Sequence, residues 1–300
     1  MTSFTGLSAF PITPSDGEGR VDVAGLRKLV ARLRAAKVDS VGLLGSTGSY
    51  VYLSREERRR AIEAAVAEAE GAVPVMAGVG ALRTDEAIRL AQDAKAAGAV
   101  AGLLAPVSYT PLTDEEVFGH FSAVAGESGL PICIYDNPGT THFRFTPALV
   151  ARLSQVPGVV AVKSPAMARE ETLAHLALLR GSVKEGLSLG YAADWNSVEA
   201  MIGGADAWYS VLGGVCPAVC VAMVRAAQRG DAAEARRLNA SLAPLWELFK
   251  QYSSLRVAYA LADILGICKA APPLPVLPLS GEARKQVEAA VRTLPAEVLN

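Results

Sequence analysis

Three short segments place residues that can do chemistry at the end of an apolar run. Val159-Val-Ala-Val-Lys163 puts an amine directly after four apolar residues, where desolvation favours the neutral form that can attack a carbonyl. Pro131-Ile-Cys-Ile-Tyr135 ends in a phenol followed by Asp136-Asn-Pro-Gly139, and a phenol held near an amine can carry protons to and from it. Gly45-Ser-Thr-Gly48-Ser49 combines glycines, which allow close backbone approach, with the hydroxyls of Ser46 and Thr47, which can help hold a carboxylate. Each segment also has a plain structural reading. Lys163 can snorkel from a strand end to solvent, Tyr135 can be a rim tyrosine bonded to a loop, and the glycine segment can be a tight turn.

The elements that must position these groups follow from the apolar pattern. Eight short apolar runs, Leu7-Phe10, Ser40-Leu44, Val73-Ala77, Val100-Leu104, Ile132-Tyr135, Val159-Lys163, Ser182-Leu187 and Ala207-Val211, alternate with longer helical patterns. Most are too continuous for half-exposed strands and fit a parallel sheet covered on both faces. Capping-box signatures at Ser54-Arg-Glu-Glu57 and Thr113-Asp-Glu-Glu116 start two helices, and Gly71 and Gly98 stand where helices should stop. The count and size predict a (β/α)8 TIM barrel over residues 1–230, a fold of about 250 residues, with an open doubly wound sheet as the alternative. Beyond Gly230 the alternation ends. Asp231-Tyr252, Ser254-Leu265 and Ser280-Leu294 read as helices around the proline-rich link Ala271-Leu279, forming a C-terminal helical region over 231–300 that packs on the barrel or joins subunits. In such a barrel the active site lies at the C-terminal strand ends, where Lys163 and Tyr135 fall on adjacent strands about 4.8 Å apart.

Composition excludes several classes. The chain has 300 residues, 51% of them hydrophobic, which is ample for a large core. A formal net charge of -1 supplies no basic field for nucleic acid or an anionic membrane and suits a small-molecule partner. Four cysteines without paired short spacings give neither a disulfide framework nor a zinc site, and Cys216 and Cys220 read as core residues. His120, His142 and His175 lack the spacing of a helical metal site, so no metal and no cofactor are expected. Gly78-Val-Gly80 suggests a dinucleotide loop, but Arg83 occupies the place of the third glycine. The uncharged stretch from Ala207 to Val224 approaches the length of a transmembrane helix, yet Gly213, Gly214 and Pro217 divide it into strand, turn and helix. The opening Met1-Thr2-Ser3-Phe4-Thr5-Gly6 lacks a secretory pattern, which makes the cytoplasm the expected location.

Gly45-Ser-Thr-Gly48, Tyr135-Asp-Asn-Pro-Gly-Thr140 and Val160-Ala-Val-Lys163, in this order, together with Ala9-Phe-Pro-Ile-Thr-Pro14, resemble the dihydrodipicolinate synthase and N-acetylneuraminate lyase family over nearly the whole chain. The resemblance implies a barrel, tetrameric or dimeric, that forms a lysine Schiff base with pyruvate or another 2-oxo acid. It implies Lys163 as the Schiff-base lysine, Tyr135 as proton relay, and Ser46 and Thr47 as holders of the substrate carboxylate. The departures are specific. Thr140 stands where the synthases carry an arginine, and Ser108 stands where they lend a tyrosine to a neighbouring subunit, with Tyr109 one position along. Ser49-Tyr50 follows Gly48 in place of the usual Glu, and Trp208 is read as either a pocket wall or core packing. Asp194 is read as an exposed helix cap ahead of a polar contact from the seventh loop, and Arg144 as a candidate to compensate for Thr140. These features imply a lyase or aldolase with a different second substrate. The alternatives are dihydrodipicolinate synthase itself, a related dehydratase and a non-enzymatic binding barrel.

Overall fold

The computed structural model describes residues 4–294, so the opening Met1–Ser3 of the segment read for a leader lies outside the described residues. Eight parallel strands close a barrel in sequence order: β1 (Gly6–Ala9), β2 (Ser40–Leu43), β3 (Val75–Gly78), β4 (Ala101–Leu104), β5 (Ile132–Tyr135), β6 (Val159–Pro165), β7 (Ser188–Ala192) and β8 (Ala207–Ser210). The architecture is the expected (β/α)8 TIM barrel with C-terminal helices.

Strand alternation divides the side chains between two cores. Cys133 and Tyr135 of β5, Ala161 of β6 and Ala207 and Tyr209 of β8 join the cluster inside the barrel. Ile132, Ile134, Val162 and Trp208 point outward into the layer shared with the helices. The interior is crowded. A Cβ at Gly42 would lie 2.2 Å from the Phe10 ring, so only glycine leaves room for that ring beside β2.

Several strand ends shift by one or two residues from the sequence reading, β6 running past Lys163 to Pro165, and two elements change more. The seventh strand begins at Ser188, because the preceding helix Arg169–Ser182 runs to Ser182 and Gly186 turns the chain at φ 83°. The expected single helix over 231–252 is two, Ala232–Ser241 and Ala243–Tyr252. Pro244 has no N–H to donate to the turn before it, and the chain re-caps at Leu242. The Thr113 capping box forms in full. At Ser54 only the serine half forms, since the Glu57 carboxylate instead accepts the Val21 N–H at 2.6 Å.

The C-terminal helices share one continuous hydrophobic cluster with the barrel's outer layer, reaching Trp246, Leu261 and Val287. The apolar stretch after Ala207 divides into β8, a short turn and the helix Pro217–Gln228. No helix among the described residues is long and apolar enough to cross a membrane.

Candidate active site

β5 and β6 place the amine and the phenol side by side. Tyr135 pairs with Lys163 in the register of the two strands, and alternation aims both into the barrel mouth. Lys163 is 6% exposed, with Nζ 3.9 Å from the centre of the Tyr135 ring and 4.8 Å from that of Phe10. The amine therefore sits between two aromatic faces.

The phenol is tied to the glycine loop. Tyr135 Oη lies 2.9 Å from Ser46 Oγ and accepts a hydrogen bond from Asn137 Nδ2 at 2.9 Å. Burial alone pushes the phenol up, but the Lys163 charge and the hydrogen bonds outweigh it and leave Tyr135 below its ordinary value. A phenol lowered in this way gives and takes a proton more readily near neutral pH.

The loop itself is held in an unusual backbone. Leu44 and Ser49, at φ 57° and 54°, bracket Gly45–Gly48 in the left-handed region, which costs a side-chain-bearing residue about 1 kcal/mol or more. At Gly48 a Cβ would meet the Leu44 backbone at 2.9 Å. Ser46 is half-buried, Thr47 is buried, and both face a cavity of about 190 Å³ that Lys163, Tyr135, Phe10 and Tyr209 also line. That is smaller than the roughly 300–1,000 Å³ of sites for larger ligands, and it suits a small acid. Phe249 and Ser254, from the C-terminal helical region, complete its wall.

Two carboxylates at the cavity are perturbed. Burial pushes Asp194 up to about 6, although it accepts from Leu212 N at 2.7 Å, Trp208 Nε1 at 3.1 Å and Val211 N at 3.3 Å. The expected exposed cap is thus corrected: Asp194 is 3% exposed and clamps the turn after β8, because the helix it begins starts beneath that turn. Burial likewise raises Asp136 to about 6, against a backbone hydrogen bond from Phe145 and the charges of Arg144 and Lys163.

The other expected site residues lie elsewhere. Trp208 is fully buried in the outer layer, bonded to Asp194, because β8 turns its neighbour Tyr209 inward; core packing describes it and a pocket wall does not. Ser108 is half-buried and Tyr109 is 97% exposed, and neither lines the cavity. Thr140 is exposed outside it, with its hydroxyl turned back to Asn137 O at 3.3 Å, and Arg144 is exposed as well. Sequence reasoning missed Phe10, Tyr209, Asn137, Phe249 and Ser254. Of these, Tyr209 was recoverable from alternation along β8. Among the described residues, no three His, Cys, Asp or Glu side chains gather as a metal site.

The model of the dihydrodipicolinate synthetase family matches residues 3–294. A 4-hydroxy-tetrahydrodipicolinate synthase of Methylococcus capsulatus is 37% identical over 281 residues, covering 93% of this chain and 95% of that protein. Among solved structures, dihydrodipicolinate synthase from Agrobacterium tumefaciens is 53% identical with a TM-score of 0.95, covering 97% of this chain and 98% of that one. The chloride-inhibited dihydrodipicolinate synthase from Acinetobacter baumannii, complexed with pyruvate, is 29% identical with a TM-score of 0.89, covering 97% and 99%. With this match running through barrel and C-terminal helices alike, the chain belongs to the dihydrodipicolinate synthetase family.

Proposed function

We propose that Lys163 is the amine that condenses with pyruvate, that Tyr135 moves the protons, and that Ser46 and Thr47 hold the substrate carboxylate. The observation that carries this reading is the in-register pair of Tyr135 and Lys163, with the phenol 2.9 Å from Ser46. Enzymes of this family are class I lyases that work through a lysine Schiff base, and the chain is one of them.

The steps follow from the groups present. Neutral Nζ attacks C2 of pyruvate, and the resulting carbinolamine loses its hydroxyl with one proton from Tyr135, as water, to leave an iminium. The iminium draws electrons from C3, which loses a proton and becomes the enamine carbon that attacks an aldehyde. The aldehyde oxygen takes up a proton, and water then hydrolyses the new iminium and returns the Lys163 amine. The reverse sequence is aldol cleavage.

For the second substrate, the relatives' names support 4-hydroxy-tetrahydrodipicolinate synthase, with aspartate semialdehyde as the aldehyde, ahead of another aldolase or a dehydratase. One observation favours a different acceptor. Among the described residues lining the cavity Lys163 is the only cation, so a second carboxylate meets no guanidinium clamp there. Condensation of pyruvate with aspartate semialdehyde, run beside a panel of uncharged aldehydes and of 2-oxo acids assayed for pyruvate release, separates the two. Efficient condensation with no better substrate in the panel establishes the synthase. A dimer or tetramer in the cytoplasm belongs to the same proposal, and sedimentation measures the former.

A further inference from the structure

The loop that carries Ser46 and Thr47 is tied to the C-terminal helical region by one buried phenol. Tyr259, on the helix Ser254–Ile264, is 1% exposed, and its hydroxyl donates to the Thr13 carbonyl at 3.2 Å. The same oxygen lies 3.2 Å from Ser49 Oγ, and Ser49 is 2% exposed. A carbonyl can only accept and a phenol has one proton, so the direction of the chain is fixed: Ser49 donates to Tyr259, and Tyr259 donates to Thr13.

Both ends of this chain lead to the catalytic pair. Ser49 closes the glycine loop through its N–H to Ser46 O at 3.0 Å, and Ser46 in turn lies on the Tyr135 hydroxyl. Thr13 belongs to the segment after β1 that carries Phe10, the ring beneath Lys163 Nζ. Because Ser49 holds a left-handed φ of 54°, its backbone gains from a restraint that fixes that geometry.

We infer that Tyr259 is a positioning residue for the 2-oxo acid site: through Ser49 and Thr13 it holds the Ser46-Thr47 loop against the Lys163-Tyr135 pair. The C-terminal region is then part of the substrate site, as Phe249 and Ser254 in the cavity wall also indicate. Burial raises the Tyr259 phenol to about 12, so the tie keeps its proton throughout the neutral range. The inference rests on the reading of Lys163 as the Schiff-base amine.

The experiment is borohydride trapping of the full-length protein over a range of pyruvate concentrations, with turnover measured alongside. Tyr259→Phe keeps the ring and removes the oxygen. Both hydrogen bonds of the phenol are lost, and because they act on the site only through the loop, the half-saturating pyruvate should rise roughly 3- to 10-fold while kcat at saturating pyruvate stays within about twofold. Ser49→Ala removes only the Ser49–Tyr259 bond and should raise half-saturation by no more than Tyr259→Phe does, and the double variant should be no worse than Tyr259→Phe alone, because loss of the phenol oxygen already removes that bond. Tyr252→Phe is the control. That hydroxyl donates to Gln286 at 2.9 Å in the same helical region without touching either loop, and its loss should leave half-saturation unchanged. Unchanged half-saturation in Tyr259→Phe, or additive effects of the two substitutions, overturns the inference while leaving Lys163 in place. Absence of any Lys163 adduct in the wild type overturns the reading of the lysine and this inference with it. Should Tyr259→Phe fail to fold, Ser49→Ala carries the same test.

Discussion

Tyr135, at the end of β5, and Lys163, two residues before the end of β6, differ sharply from the loops that follow β4 and β5 at the same mouth. The strand-borne pair is buried, in register and aimed inward by alternation. The loop residues Tyr109 and Thr140 are exposed and lie outside the cavity. The difference is mechanical. A strand in a closed barrel has its side-chain direction set by hydrogen bonds on both edges, whereas a loop's direction follows from its own turns. The two groups proposed to handle the Schiff base therefore sit on strands, whereas the loop of Ser46 and Thr47 needs hydrogen bonds to Tyr135 and within itself to hold its direction.

The largest effect should come from the strand side. Lys163→Ala removes the proposed nucleophile and should reduce pyruvate-dependent turnover to the background rate, with the circular dichroism spectrum unchanged. Full activity in this variant would remove the distinction between strand ends and loops altogether.

Tyr135→Phe should lower kcat by roughly 10²- to 10⁴-fold, the usual contribution of a positioned proton-transfer group, with less effect on pyruvate capture. Single-turnover trapping compared with steady-state rate makes that separation visible.

Asp194 occupies the boundary between strand and loop, and its effect should fall on stability. Asp194→Asn leaves donors at Leu212, Val211 and Trp208 imperfectly matched, for a loss of about 1–3 kcal/mol in urea unfolding. The pH dependence has a definite sign. A carboxyl raised from 3.8 to about 6 by burial binds its proton more tightly in the folded state, so its contribution to stability falls as pH rises through that window. The wild type should gain on the Asn variant as pH drops from about 6 toward 4, and a constant difference across that range would contradict the assignment.

The smallest effect belongs to the loop side. Thr140→Ala should change kcat/KM by less than about twofold, since the hydroxyl bonds only to Asn137 O beside it. A larger loss would bring this loop into the site.

The barrel and the Lys163-Tyr135 pair are legible because continuous apolar runs alternating with helical patterns, two of them ending in Tyr135 and Lys163, are local properties of the sequence. The seventh strand was displaced because the charged Lys184-Glu185 and the Gly186 turn interrupt the approach to it, and Ser188-Leu-Gly-Tyr-Ala192 reads weakly as a strand. The bulk of Trp208 leaves pocket wall and core packing equally open in the sequence. The pairing of Leu7 with Trp208 and of Ser8 with Tyr209 fixes which of β8's two aromatics enters the barrel. Phe10, Phe249, Ser254 and Tyr259 reach the site through long-range packing, for which no local pattern exists. Asp194 was misplaced for a related reason: a cap position looks exposed until the turn that covers it is known.

The most direct test of the central claim is to treat the protein with pyruvate and borohydride and to weigh its peptides. A Schiff base on Lys163 leaves one lysine carrying the reduced pyruvate adduct, in the peptide that contains Lys163, and no such adduct in Lys163→Ala. A protein that traps no pyruvate, or that traps it on a different lysine, would contradict it.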